Sequence, residues 1–177
     1  MHFTSWDRSD KERPTLLVGR GPEELASFTA SGAEVDGQHW RTEVDEQLGA
    51  SATSDDGRTY RLAGNLKKDK TLQASLEGRT FSLVNESGSN WVIFDVNDHK
   101  VAQFSGANNG VREAILEFEN DEDDSDPDSA LDLNRQEVAA LSWFSRVVLE
   151  NRLSQRSVAI IGTLVLLSAV AVLAVLI

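Results

Sequence analysis

The run SVAIIGTLVLLSAVAVLAVLI, residues 157–177, carries no charged side chain over 21 residues. As a helix it reaches about 31 Å, roughly the hydrocarbon thickness of a bilayer. A helix buried in a soluble domain usually keeps a polar stripe, and this one has none. Its polar groups, Ser157, Thr163 and Ser168, can each bond back to their own helix. The run is therefore expected to be a transmembrane helix, the competing reading being a core helix wrapped by a β-barrel. Arg146, Arg152 and Arg156 precede it and no residue follows it. Positive charge stays on the cytoplasmic side, so these three are the expected membrane-flanking residues. The expected topology is single-pass and tail-anchored, with the N-terminal domain cytoplasmic. The opening MHFTSWDRSDKERP has no apolar run, and no signal peptide is expected.

The net charge of −12 is uneven. Residues 117–128 hold eight acids and no base. Such a block cannot pack, and residues 121–133 are expected to be a solvated acidic linker. A calcium loop starting at Asp121 would need Gly where Asp126 stands and Glu where Asp132 stands. The acidic balance argues against nucleic acid as a partner. The absence of cysteine excludes disulfides and thiolate metal sites.

Residues 1–13 are polar and read as a flexible arm. Over residues 14–120 short apolar runs alternate with turn signals. Asp36-Gly37, Asp56-Gly57, Glu77-Gly78 and Asn97-Asp98 separate segments such as QHWRTEV, RTYRLAG, TLQASLEG, RTFSLVNE and WVIFDVND. PEELASFTAS, residues 22–31, reads equally as a helix start or a strand. About eight strands at roughly ten-residue spacing predict a mainly β, antiparallel barrel-like or sandwich domain. Alternation puts Leu72, Ala74 and Leu76 on one face, Phe81 with Leu83, and Val92 with Phe94 and Val96. Val101 falls out of phase with Phe104, which suggests a bulge or a strand end.

Residues 134–153 read as an amphipathic helix packing on or in the β domain, with Val138, Leu141, Phe144 and Val148 at helical spacing. Asn134 is the expected N-cap, and Glu137 completes a capping box.

The stretch FSLVNESGSNWVIFDVNDHKVAQFSG, followed by an acidic turn and an apolar helix, resembles the tubby C-terminal-like superfamily. That group includes the LURP-one-related proteins and phospholipid scramblases. The likeness covers residues 14–151 and is carried by layout, with the segment Phe94 to Ala102 closest in style. It implies a closed β-barrel threaded by one hydrophobic helix, and contact with phosphoinositides or phospholipids. A full barrel of that group has about four more strands than the turn signals mark here. The interior helix is expected to be 134–153, which leaves 157–177 as an added anchor; the reverse assignment would make the protein soluble.

Chemistry is sparse. His2, His39 and His99 have no metal-ligand spacing, and no nucleophile elbow or phosphate loop is present. No catalytic residue, metal or cofactor is expected. One basic cluster stands out, Lys67, Lys68 and Lys70 in NLKKDK, with Arg58, Arg61 and Arg79 nearby in sequence. Lysines in a loop commonly protect sheet edges. Lys67, Lys68, Lys70 and Arg79 are also the expected contact for anionic lipid head groups. The expected function is a non-enzymatic, membrane-tethered module that binds phospholipid head groups or a protein partner. A scramblase-like lipid translocator and a small enzyme are the alternatives.

Overall fold

The turn chemistry closes hairpins where the sequence places them. Glu77 and Gly78 both sit at positive φ, 48° and 91°, the geometry that matches the twist of a two-residue hairpin. They join strands whose ends pair as Leu76 with Arg79. In the computed structural model, which describes residues 1–106, 114–119 and 133–152, such hairpins run the length of the chain. The strands are β1 (Phe3–Asp7), β2 (Thr15–Val18), β3 (Glu24–Phe28), β4 (Gly32–Val35), β5 (Gln38–Asp45) and β6 (Gly49–Ser54). They continue as β7 (Thr59–Ala63), β8 (Thr71–Leu76), β9 (Arg79–Ser87), β10 (Asn90–Phe94), β11 (Lys100–Ser105) and β12 (Leu116–Phe118). All twelve pair antiparallel with their sequence neighbours, and β1 pairs with β12 to close a barrel.

Two expectations change here. Residues 1–13 are not a loose arm: they contain β1, which closes the barrel and buries Thr4 and Trp6. The β domain has twelve strands, because residues 22–31 carry β3 and the short β4 follows it. The phase of β10 also differs. Trp91 and Ile93 point inward, Phe94 is half-buried, and Val96 is 73% exposed beyond the strand end. The irregularity lies in β10, between Ile93 and Phe94, where the pairing with β11 shifts.

An eight-stranded barrel is just filled by side chains, and a wider one has room for more. Here the room is occupied by a helix, α1 (135–152). The barrel wall accommodates it with small inward residues, Ala26, Ala33, Ala50, Ala52, Ala74 and Ala102, all buried. Helix α1 is buried on every side along residues 136–145 and again at 147–149. It touches the wall all round: Trp143 stacks on Phe28 of β3 at 6.0 Å, and the Ser142 hydroxyl meets that of Thr4 in β1 at 2.8 Å. Tyr60 of β7 bonds Gln136, and Arg79 of β9 bonds Glu137. The helix thus lies in the barrel, and its two central serines return their hydroxyls to Val138 and Leu141 carbonyls.

Among the described residues no helix is long and apolar enough to cross a membrane. The span expected at 157–177, the acidic residues 121–132 and Arg156 lie outside the described residues.

Candidate functional site

An antiparallel barrel has two ends, each carrying alternate loops, and α1 runs between them. Its N-terminus lies beside the β2–β3, β4–β5, β6–β7 and β8–β9 turns; this is the entry end. Its C-terminus lies beside the β1–β2, β5–β6 and β7–β8 loops; this is the exit end. The two ends differ in chemistry.

At the entry end polar groups fasten the helix to the barrel. Asn134 Oδ1 accepts from the Gln136 and Glu137 amides at 3.0 and 2.9 Å, and Glu137 accepts from the Asn134 amide at 2.9 Å. This is the capping box the sequence predicts. Glu137, its side chain only 3% exposed, also takes a two-pronged bond from Arg79 at 2.9 and 3.0 Å. Gln136 Oε1 accepts from Arg58 at 2.8 Å and stands 2.9 Å from the Tyr60 hydroxyl. That hydroxyl is equally close to Glu77, which pairs with Arg58 at 3.3 Å. Burial first, then the Glu77 carboxylate, raises the Tyr60 phenol above its ordinary pKa, so it remains a donor. The Asp56 carboxylate, with Glu77 behind it, raises the Arg58 guanidinium. Arg135 reaches Glu23 at 2.7 Å and Asp36 at 3.4 Å. Arg20, Asp55 and Asp98 are exposed in its turns, and Asp95 stands 3.6 Å from His99.

The exit end is different. The loop Gly64–Lys70 is built on Asn65 and Asp69, whose side chains accept backbone amides within the loop. That arrangement leaves Lys68 and Lys70 pointing to solvent, while Lys67 pairs with Glu46. Among the described residues Lys68 and Lys70 have no ion-pair partner. Arg152, the last described residue of α1, donates to the Lys67 and Asp69 carbonyls. Its guanidinium lies 5.3 Å from the Trp91 ring, and burial lowers its pKa from the usual arginine value while Asp69 opposes. The chain therefore leaves the barrel against the lysine loop. Beside it opens a cleft of about 760 Å³. Phe28, Val44, Trp143 and Val147 give it an apolar wall, and Lys11, Arg13 and Arg146 stand around it with Asp10, Glu12 and Glu150.

The sequence-predicted residues divide between these ends. Lys67, Lys68 and Lys70 are together at the exit end. Arg79 is at the opposite end, bonded to Glu137, and does not join them. Arg58 is also at the entry end. Arg146 is turned over the Trp6 ring at 4.6 Å and paired with Glu150 at 2.9 Å, so it is a barrel residue more than a flank. Lys11 escaped notice in the sequence because residues 1–13 read as an arm; only the closure of β1 on β12 brings it to the cleft. Among the described residues no group of three or more His, Cys, Asp or Glu is placed to hold a metal ion.

Most carboxylates and bases of the entry end pair with one another. Comparison with protein-family models, with curated proteins and with solved structures finds no match.

Proposed function

We propose that this protein is a membrane-tethered binding module whose barrel meets anionic phospholipid at its exit end. The observation that carries this reading is the path of the chain. Helix α1 leaves the barrel between the Lys67 and Asp69 carbonyls, and the uncharged run 157–177 follows within a few residues. Any bilayer entered by that run lies next to Lys68 and Lys70. Each exposed base near an anionic surface contributes about 1 kcal/mol, so these two give about 2 kcal/mol, weak alone. A tether supplies high local concentration, and weak contacts then suffice. Arg152 and the lysine loop also place positive charge beside the run, which favours a cytoplasmic barrel. A barrel threaded by an apolar helix is the architecture expected of the tubby-like resemblance, and it supports the same reading.

Two measurements test it. The full chain should remain in membranes washed with alkaline carbonate, and a chain ending at Arg156 should wash off. The shorter chain should sediment with phosphatidylserine vesicles at low salt and lose that binding when Lys67, Lys68 and Lys70 become Gln. Full-length chain released by carbonate removes the tether. Sedimentation unchanged by the three substitutions removes the lysine loop as the lipid contact.

A further inference from the structure

Among the described residues the large apolar side chains left most open are Leu48 at 75%, Val96 at 73%, Met1 at 51% and Val44 at 50%. Scattered exposed hydrophobics are ordinary. Two of these four, however, sit on one hairpin, β5–β6, at the exit end. Leu48 is at its tip, and Val44 continues from it into the wall of the cleft.

That hairpin is fixed to the lysine loop. The Gly64 amide donates to the Leu48 carbonyl at 3.1 Å, the Leu66 amide to the Glu46 carbonyl at 2.9 Å, and Lys67 pairs with Glu46. Leu48, Lys68 and Lys70 therefore move as one body with the point where the chain leaves the barrel. Of the hairpin's acids, Glu43 is exposed on β5, away from the tip. Asp45 accepts the Gln47 and Leu48 amides at 2.8 and 3.0 Å, which shapes the tip, and Glu46 is held by Lys67. The result is an apolar tip flanked by two unpaired lysines, the pattern of a surface that dips below lipid head groups while its bases stay among them.

We infer that the exit end docks on an anionic bilayer surface through the β5–β6 hairpin, with Leu48 inserted below the head groups and Lys68 and Lys70 lying among them. This rests on the tethered reading above and adds an orientation to it. The barrel axis points at the membrane, the cleft of Phe28, Val44, Trp143 and Val147 opens at the lipid surface, and the entry end faces away. Lipid is favoured over a protein partner because the chain delivers this end to a bilayer and Lys68 and Lys70 stand exposed beside Leu48.

The chain has no native cysteine, so one introduced thiol reports one position. Full-length Leu48→Cys and Val96→Cys, each labelled with an environment-sensitive dye, are reconstituted in phosphatidylcholine–phosphatidylserine vesicles containing a lipid-borne quencher. Quenching severalfold stronger at position 48 than at 96, with a blue shift at 48 only, is the expected result. Equal quenching, or stronger quenching at 96, overturns the orientation. The same vesicles are then washed in carbonate. Retained protein with an unquenched 48 defeats this inference alone, whereas protein lost to the wash defeats the tether and this inference with it.

Discussion

A Cβ added to Gly49 would lie 1.8 Å from the Leu62 carbonyl oxygen, on a backbone held at φ +118°. Backbone cannot yield as a side-chain tip does, and the hairpin whose tip carries Leu48 depends on this contact. Gly49→Ala is expected to cost about 4 kcal/mol or more, the range of core disruption. Gly37→Ala meets nothing within 4 Å and keeps only the left-handed strain; it should cost about 1–2 kcal/mol. Urea unfolding followed by the fluorescence of the four tryptophans, all buried, separates the two; equal midpoints would refute the close approach. The sequence marks Gly37 as a turn residue because Asp-Gly is a local signal. It gives no sign that Gly49 is the more restrictive position, since the carbonyl that forbids a side chain belongs to another strand.

At the scale of elements, what could be read was what is local. The hairpins of β4–β5 and β8–β9 follow from two-residue turns, and the cap of α1 from Asn134 and Glu137 three residues apart. Strand β1 could not be read, because its alternation is masked: Thr4 and Trp6 face in, while Ser5 between them is also buried and donates to the Gly19 carbonyl at 2.6 Å. The lysine loop was legible as a charge cluster, but its separation from Arg79 was not, since only the barrel decides which loops share an end. The Arg79–Glu137 pair joins β9 to α1 across 58 residues. Removing one partner of a buried pair costs about 3–5 kcal/mol, and Arg79 is a third exposed, so Arg79→Met should fall near 3 kcal/mol. Adding Glu137→Gln neutralises the stranded carboxylate and keeps an acceptor for the Asn134 amide. The double variant should therefore be more stable than Arg79→Met alone. Strictly additive losses in urea unfolding would show that the two groups do not act on each other.

For the whole molecule, the decisive relation is that α1 is inside a closed sheet. A helix lying on a sheet can detach while the sheet survives; one enclosed by twelve strands has no such route. Its entry end is held by Arg79, Arg58 and Tyr60, and its exit end by the carbonyls that receive Arg152. Withdrawing it would strand the inward faces of Trp40, Tyr60, Phe81 and Trp91 around an empty interior. The barrel and helix should therefore open together. Native-state hydrogen exchange is expected to give residues 141–148 the same opening free energy as the central amides of β7, β8 and β9, equal to that of global unfolding. Exchange of the helix at a markedly lower free energy, with the strands still protected, would show that it slips out by itself. The distinction bears on function. Under the proposed tether, a helix that cannot slip would hold the lysine loop and Leu48 in a fixed relation to the end of α1, whereas a sliding helix would leave that relation undefined.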